Sequence, residues 1–457
     1  MNLFSIKHDA YPLLKLAIPL AMAGMIQSAV WFFESIFLAH LGPDILAAGS
    51  LVSWLFGTVA VILYGILSSI NILVALKHGE QNQPAIRQIA RDGLLLAIII
   101  SIPTMILFWN MSPIFLTFGQ SQEVVAQAKS YLQPLAWGLV PDFIIMACLE
   151  VIIGVGYARM VLVFSTITVV LNVICSYLLI FGKFNFPALG IAGAGWGMTI
   201  SYWITFVILT AYILIVKKYQ QYFQQIFDLT SPVYLVELLQ IGVPMGLMYC
   251  VEVAFFFALT LVMGLLGAEA QAANQVALQY LGLMMSTMFA VAQAITVRMG
   301  HLLGANDYSK AGNASRVGIF IAIIFTGLIA IVYWTMPFTL IAIDFNIHDA
   351  KNHTIVTLIV RLISVCALFQ IIESVRITLF GSLRALKVTK YTMLVSIISF
   401  WCVALPIGYF IAIKMQAGAA GFWWGMIMGA SVSVVLLLKR FNNKMRTLAL
   451  MYHASLR

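Results

Sequence analysis

Several ionisable side chains lie in stretches of the sequence that are otherwise apolar, and their chemistry needs an explanation. In chain order they are Glu34, Asp142, Glu150, Glu252, Arg361, Glu373 and Arg376. An ionised group in the middle of an apolar helix costs roughly 2.5–3.5 kcal/mol on insertion scales, so each acid is a candidate for ion or substrate binding. A buried carboxylate can exchange a proton, a sodium ion and an organic cation for one another, and this competition couples their movements. We expect both arginines to be buried.

The elements that must position these groups are membrane-spanning helices. Of the 457 residues, 62% are hydrophobic and 9% are charged, and the mean hydropathy is +1.01. About 20 helical residues cross a hydrocarbon core of about 30 Å. We predict an all-α polytopic membrane protein with twelve spans, at residues 14–39, 46–76, 93–117, 128–153, 160–182, 190–216, 238–265, 270–299, 316–344, 354–381, 389–414 and 418–438.

Basic residues are concentrated in the segments that lie on one side of this predicted topology. If the N-terminus is inside, the outer loops hold only Lys129, Lys183, Lys351 and Lys414. Cytoplasmic loops carry an excess of Lys and Arg, so both termini should be cytoplasmic. The net charge of +9 therefore indicates topology rather than a nucleic-acid partner. We expect no removable signal peptide, because no short apolar region followed by a small-residue cleavage site opens the sequence.

The sequence lacks the patterns typical of a metal site or a catalytic centre. Its five cysteines fall within predicted helices without a CxxC pair, and it has neither HExxH nor an aspartate-rich metal motif. We therefore expect neither an intramembrane enzyme nor a disulfide framework, and no cofactor.

The chain is an internal duplication. "GIAGAGWGM" at 190–198 and "GAAGFWWGM" at 418–426 match at six of nine positions, and Pro19 and Pro244 correspond at an offset of 225. We predict an N-lobe at 1–216, a cytoplasmic linker at 217–237, a C-lobe at 238–440 and a cytoplasmic tail at 441–457. Six spans per half give parallel repeats related by a pseudo-two-fold axis along the membrane normal, which is typical of transporters. A duplicated channel is the alternative, but no short filter segment supports it.

Glu34 is the principal acid of the first half. It lies six residues before His40, in the outer part of the first span. Gln27 and Trp31 precede it on the same helical face and form a polar stripe with it. Pro19 removes a backbone hydrogen bond below this stripe and is a possible bend point.

Glu252 lies near the middle of the seventh span between soft and aromatic side chains. Met248 and Tyr249 precede it by about one turn, and Phe255 and Phe256 follow it. A carboxylate beside ring faces and a flexible thioether suits a lipophilic cation of variable shape. The rings could equally be packing or lipid contacts.

Three further acids have different surroundings. Glu373, in the tenth span, has Arg376 three residues later on the same face, so the two can form a pair and neutralise each other. Asp142 follows Pro141 near the midplane and is a candidate site residue. Glu150 lies close to the inner end of the fourth span, and we expect it to extend to the cytoplasmic interface.

These residues occur within a wider set of motifs. "LAIPLAMAGMIQSAVWFFESIFLAHLG", "AANQVALQ" at 272–279, "VRMGHLLGANDYSKA" at 297–311 and "GSLRALK" at 381–387 are the first of them. "LPIGYFIA" at 405–412 and "GAAGFWWGMIMG" at 418–429 complete the set. Over nearly its whole length the chain resembles the multidrug and toxic compound extrusion (MATE) transporters, especially their NorM branch.

The resemblance implies a two-lobed, twelve-helix antiporter of the bacterial inner membrane that exports cationic, hydrophobic compounds, including antibiotics, in exchange for Na⁺ or H⁺. Glu34 stands where the family has a first-helix aspartate, Glu252 matches the NorM-type glutamate, Glu373 replaces an aspartate and Asn172 fits the fifth-helix asparagine. These four are the predicted coupling residues, with Glu252 and Glu373 as possible Na⁺ ligands. The predicted substrate-binding residues are Gln27, Trp31, Glu34, Asp142, Met248, Glu252, Phe255, Phe256, Gln275, Phe369 and Glu373.

The sequence departs from the NorM pattern in the second half. Phe369 replaces a tyrosine of the cation site, and Arg376 stands where relatives have a neutral residue. Ser176 replaces Asn or Asp in the first half, and Asp142 is this sequence's own. We therefore favour proton coupling through Glu34. The expected partners are organic cations and membrane lipids, and the expected state is a monomer. A flippase for lipid-linked precursors is the alternative, although its cavity should be basic.

Overall fold

The computed structural model describes residues 3–224, 226, 228, 231–343, 349 and 353–455, and in this part of the chain every regular element is a helix. In the first half these are α1 Leu3–Ala39, α2 Pro43–Leu67, α3 Ser69–Gly79, α4 Gln83–Trp109, α5 Ser112–Thr117, α6 Gln122–Ala136, α7 Leu139–Gly154, α8 Ala158–Phe181, α9 Ile191–Ile215 and α10 Lys217–Gln220. The second half has α11 Leu235–Leu265, α12 Ala268–Gly304, α13 Tyr308–Thr335, α14 Pro337–Ile341, α15 His353–Ala385, α16 Thr389–Ile397, α17 Leu405–Tyr409 and α18 Ala419–Ser455. Two π-helical stretches, Ile398–Ala404 and Phe410–Lys414, continue α16 and α17.

The predicted all-α polytopic fold is confirmed. Among the described residues, eleven helical segments are long and apolar enough to cross a membrane, and the bent pair α6–α7 makes up to twelve. These segments correspond one for one to the twelve predicted spans, six in each half.

Several predicted boundaries are wrong by up to a few turns. The third span was predicted at 93–117, but α4 ends at Trp109 and α5 begins again at Ser112, where Pro113 suits a first helical turn. The ninth was predicted at 316–344; α13 ends at Thr335 and α14 follows, while residue 344 lies outside the described residues. The predicted tail is largely helical, because α18 continues to Ser455 through residues that favour helix.

The fourth span is broken by 49° between α6 and α7. Pro141 has no N–H to donate to the carbonyl of Trp137, four residues earlier, and the indole of Trp203 donates to that carbonyl instead at 3.2 Å. The hydroxyl of Thr199 donates to the carbonyl of Pro134 at 2.7 Å. Helix α9 therefore provides side-chain donors to two backbone carbonyls beside the break.

The chain forms two compact units, one of Met22–Gly246 and one of Met1–Ala21 with Leu247–Arg457. The division falls inside α1 and α11, two residues after Pro19 and two residues after Pro244. These division points differ by 225 residues, which is the offset of the sequence repeat. The first helix of each half is thus divided at the same place, next to the proline that interrupts its hydrogen-bond ladder.

The repeated glycine motif performs the same packing in both halves. A Cβ at Gly197 would lie 2.6 Å from Cα of Ser176, and one at the equivalent Gly425 would lie 2.5 Å from Cα of Gly408. Both distances are too short for any real side chain, so only glycine permits this approach. The sixth span of each half therefore packs directly on the backbone of the fifth.

The linker between the halves is held by charged residues of α4. Arg87 Nε donates to the carbonyl of Gln221 at 2.9 Å, and Arg91 donates to the carbonyl of Ser231 at 3.2 Å. Asp92, fully buried, pairs with Arg91 and accepts a 2.6 Å hydrogen bond from the backbone N–H of Tyr234. Part of the predicted linker, at 225, 227, 229 and 230, lies outside the described residues.

Candidate functional site

The Met22–Gly246 unit contains a buried acidic site around Glu34. Only 2% of Glu34 is exposed, and its Oε2 accepts a 2.5 Å hydrogen bond from the hydroxyl of Tyr131 on α6. The side chain of Asn172 on α8, equally buried, is a second polar neighbour of the same carboxylate. The thioether of Met198 touches the tyrosine hydroxyl from α9. Four helices thus enclose one carboxylate with neutral polar neighbours.

The stripe predicted on α1 faces α8. The Gln27 amide donates to the hydroxyl of Ser165 at 3.1 Å. Glu34, seven residues after Gln27, lies beside Asn172, which is seven residues after Ser165. The two helices therefore run parallel in this region. Trp31 packs on Phe56 with ring centroids 5.3 Å apart, and Gln27 itself is exposed.

Three buried oxygens at this site have no hydrogen-bond partner among the described residues. They are Oε1 of Glu34, Oδ1 of Asn172 and Oγ of Ser176. Buried polar atoms are nearly always satisfied, so unsatisfied acceptors mark a place for a proton, a water or a cation. Hard cations prefer oxygen ligands, and these oxygens could serve as such ligands. No cluster of three or more His, Cys, Asp or Glu residues occurs in the described part of the chain.

A second buried acid in the same unit is Asp142. It is 7% exposed, and its Oδ2 accepts a 2.6 Å hydrogen bond from the hydroxyl of Tyr64 on α2. The ring of Tyr64 packs edge-on against Phe143 at 5.9 Å. Tyr202, on α9, lies close enough to both Asp142 and Glu34 to interact electrostatically with each.

The expectation that Glu150 extends to the cytoplasmic interface is wrong. Its side chain is 0% exposed, and the Asn71 amide on α3 donates to its carboxylate. The sequence places Glu150 one turn from the end of α7, but α3 and α4 both pack on that helix. The contact with Asn71 of α3 keeps the Glu150 side chain inside the unit instead of at the interface.

The unit that contains Leu247–Arg457 has a different acidic site, with its own cation. Arg376 Nε donates to Glu373 at 2.8 Å and Nη2 binds the other oxygen of the same carboxylate, while Nη1 donates to Glu252 at 2.8 Å. Ser396 also donates to Glu252, at 2.9 Å. The predicted pair of Glu373 and Arg376 forms, and Glu252 joins it. A free cation between the two carboxylates would have to displace a guanidinium.

Aromatic rings enclose this guanidinium on two sides. Its carbon lies 4.6 Å from the ring centroid of Phe380 and 4.7 Å from that of Phe400, and only 1% of Arg376 is exposed. Ring faces attract a desolvated cation. Arg361, which was also expected to be buried, is exposed, because it lies on a face of α15 that no described element covers.

The other predicted substrate-binding residues of this unit differ in exposure. Met248, Phe255 and Phe369 are almost completely buried, Phe256 is half-buried and Gln275 is exposed. Phe255 packs on Phe400, at a centroid distance of 4.8 Å, and Phe369 packs on Trp423 at 5.9 Å. Their assignment to substrate binding stays a prediction. The polar side chain buried beside Gln275 is Asn274, which accepts a 3.0 Å hydrogen bond from Trp423.

Sequence reasoning missed the donors that hold the acids. Tyr131, Tyr64, Asn71 and Ser396 each lie at least 70 residues from the acid that they contact. A tyrosine in an apolar span has no local feature that marks it as a hydrogen-bond donor, and the sequence contains 17 tyrosines. A buried carboxylate does predict that some donor exists, but not which residue provides it.

Duplicated six-span halves with ionisable groups buried inside the spans are typical of membrane transporters. The chain belongs to the MatE family and is a NorM-like MATE transporter: the sequence model of that family matches residues 19–178 and 244–410. The two matched segments begin at Pro19 and Pro244.

Similar proteins agree with this assignment over almost the full length. The chain is 30% identical over 445 residues to the multidrug resistance protein NorM of Burkholderia vietnamiensis, covering 97% of this chain and 96% of the relative. It is 29% identical over 442 residues to a probable multidrug resistance protein NorM of a Synechococcus species, covering 96% and 95%.

Solved structures share the fold. A MATE transporter in a bent conformation superimposes with a TM-score of 0.87 at 18% identity and covers 97% of both chains. The eukaryotic MATE transporter AtDTX14 gives 0.81 at 17% identity, covering 97% of this chain and 99% of that one.

Proposed function

We propose that this MATE transporter is a proton-coupled antiporter that exports hydrophobic organic cations from the bacterial cytoplasm, with both termini on the cytoplasmic side. It acts as a monomer without a cofactor and exposes its sites alternately to the two sides of the membrane. The observation that carries the proposal is the Glu34 carboxylate, which is buried and has the neutral side chains of Tyr131 and Asn172 as its polar partners.

A carboxylate with this environment can exist in two states. Burial penalises the charged form, and no cationic group of the described chain holds it in that form, so protonation and cation binding can compete for it. Binding a proton from one side would release the cation bound from the other. Asn172, beside the carboxylate, supplies a polar neighbour for either state.

Sodium coupling at the second acidic site has less support. Glu252 and Glu373 already share the guanidinium of Arg376, which satisfies three of their oxygens. Phe369 offers no oxygen ligand and packs on Trp423. These contacts therefore favour a structural ion triad over a Na⁺ site. Glu34 then remains as the candidate coupling group.

The distribution of buried charges supports the proposed substrate class. Two carboxylates and one guanidinium leave the second site with an excess negative charge, and the first unit has acids without a described cation beside Glu34 or Asp142. Acidic sites favour cations over the pyrophosphate of a lipid-linked precursor. The names of the relatives, multidrug resistance proteins, agree with a substrate range set by charge and lipophilicity.

Reconstitution tests the proposal directly. Purified protein is inserted into proteoliposomes, a pH gradient or a Na⁺ gradient is imposed, and ethidium fluorescence is followed. We expect the pH gradient to drive ethidium movement. If neither gradient moves ethidium, the antiporter proposal fails; if only Na⁺ does, the choice of ion is wrong.

A further inference from the structure

Three buried acids of the Met22–Gly246 unit each accept a hydrogen bond from a neutral side chain, whereas a fourth, Asp92, is paired with Arg91. Tyr131 donates to Glu34 and Tyr64 donates to Asp142. Asn71 donates to the third acid, Glu150. All three acids are more than nine-tenths buried.

The acids are arranged in depth along one broken span. Tyr131, which marks the depth of Glu34, lies on α6, and Asp142 and Glu150 lie on α7, 11 and 19 residues further along. The step from Asp142 to Glu150 lies within α7 and is about 12 Å at 1.5 Å per residue. The step from Tyr131 to Asp142 crosses the 49° bend, so it is shorter than the roughly 16 Å that eleven residues of straight helix would span. By the positive-inside rule, Glu150 is the innermost.

Other polar side chains lie near these three acids. Tyr202 interacts electrostatically with both Glu34 and Asp142. Tyr64 and Asn71 are seven residues apart on the second span, about 10 Å, and contact Asp142 and Glu150 respectively. Oε1 of Glu34 and Oδ1 of Asn71 have no partner among the described residues, and such buried acceptors ordinarily bind water. Hydroxyls and waters can pass protons over these distances by successive short transfers.

We propose that Glu34, Asp142 and Glu150 form a three-acid proton path through this unit. The proton leaves the protonated carboxyl of Glu34, which becomes a carboxylate, and reaches the carboxylate of Asp142. Each hydroxyl or water on the way accepts one proton and releases another. A second transfer protonates Glu150, which releases the proton at the inner end. Nothing is oxidised or reduced.

This path rests on the proposed proton coupling and adds to it. Glu34 takes part in the exchange between proton and substrate, whereas Asp142 and Glu150 determine where the proton leaves. The surrounding groups suit transfer, because the titratable groups that face Glu34 and Asp142 are the tyrosines Tyr131, Tyr64 and Tyr202. In the other unit, by contrast, both acids are paired with the guanidinium of Arg376.

Two assays on the same proteoliposomes test the path. One measures ethidium movement driven by a pH gradient; the other measures exchange of ethidium at equal pH, which needs no net proton movement. For Glu150→Gln we expect the first rate to fall at least about tenfold while the exchange stays within about twofold of wild type. For Asp142→Asn, which also changes a predicted substrate-binding residue, we expect the ratio of the gradient-driven rate to the exchange rate to fall at least about tenfold. Asp44→Asn and Glu123→Gln, exposed acids of the same unit, are the matched controls and keep both rates.

The outcomes separate the path from other roles. The path is overturned if both variants keep the gradient-driven rate. It is also overturned if the gradient-driven rate and the exchange rate fall by the same factor. Glu150→Asp retains an acid and should retain the response; a loss as large as that of Glu150→Gln would show a packing role and also overturns it. Asp142→Asn preserves the shape of the side chain, and its amide oxygen can still accept the hydrogen bond from Tyr64. If Glu150→Gln fails to insert into the membrane, the rates of Asp142→Asn alone test the path. A wild type without any proton response refutes the proposed function instead.

Discussion

The hydroxyl of Tyr131 donates a 2.5 Å hydrogen bond to the carboxylate of Glu34, 97 residues earlier in the chain. This contact joins the outer part of the broken fourth span to the first span. It stabilises the charged form of Glu34 at a place where burial opposes charge. In the proposed mechanism, the balance between these two effects allows the carboxylate to alternate between proton and cation.

Replacing that donor should weaken cation binding without disturbing the packing. Tyr131→Phe keeps the ring but removes the hydrogen bond, and a hydrogen bond to a charged group contributes about 1.5–3 kcal/mol. We expect gradient-driven ethidium transport to need about ten- to hundredfold more ethidium for half-maximal rate. Tyr391→Phe is the control, because its hydroxyl makes only a 3.4 Å contact with the carbonyl of Leu436. An unchanged half-maximal concentration in Tyr131→Phe would contradict a role for the hydroxyl.

Removing the guanidinium of Arg376 should allow an added cation to bind between the two carboxylates of the second site. Arg376→Gln leaves Glu252 and Glu373 close together without their shared partner, and breaking a buried ion pair costs about 3–5 kcal/mol. Added Na⁺ that binds there should restore part of this stability by mass action. We expect the Tm of the variant to be lower than wild type in choline chloride and to rise in NaCl of equal ionic strength.

The matched control for this substitution lies on the same helix. Arg361→Gln removes an exposed arginine of α15 and should leave Tm unchanged in either salt. A Tm of Arg376→Gln that is the same in both salts would count against a latent cation site. It would also remove the basis for the raised Na⁺ response that the sequence predicts.

The glycine motif offers a test of the packing between spans. In Gly197→Ala the added methyl would lie 2.6 Å from Cα of Ser176, so the helices must separate, at a cost of about 1–3 kcal/mol. Gly57→Ala has no atom within 4 Å of the added methyl and should stabilise its helix by up to about 1 kcal/mol. Thermal unfolding of the two purified variants should therefore shift in opposite directions. A tolerated Gly197→Ala would show that this approach is not tight.

Sequence patterns predicted the spans and the acids well, because both depend on local composition. Hydropathy locates a span, and a carboxylate within it is conspicuous because a charged side chain has a high free energy of membrane insertion. The pair of Glu373 and Arg376 was also predictable, since three residues bring side chains together on one helix face. The break between α6 and α7 was not predicted, although Pro141 is compatible with it, because prolines inside α1 and α11 leave those helices long.

Long-range partners could not be predicted from local patterns. Glu252 lies 124 residues from the arginine that binds it, and only packing of α11 on the same unit brings them together. For the same reason, Arg361 was expected to be buried and is exposed, and Glu150 was expected at the interface and is buried. Depth along a span can be counted from the sequence, but the direction that a side chain faces depends on the neighbouring helices.

The central claim is that Glu34 couples proton movement to substrate movement, and one comparison tests it most directly. Wild type, Glu34→Gln and the exposed-acid control Asp44→Asn are reconstituted at equal density, and ethidium transport is recorded with and without an imposed pH gradient. We expect the gradient to accelerate transport by wild type and by Asp44→Asn but not by inserted, folded Glu34→Gln. Full retention of gradient-driven transport in Glu34→Gln would contradict it.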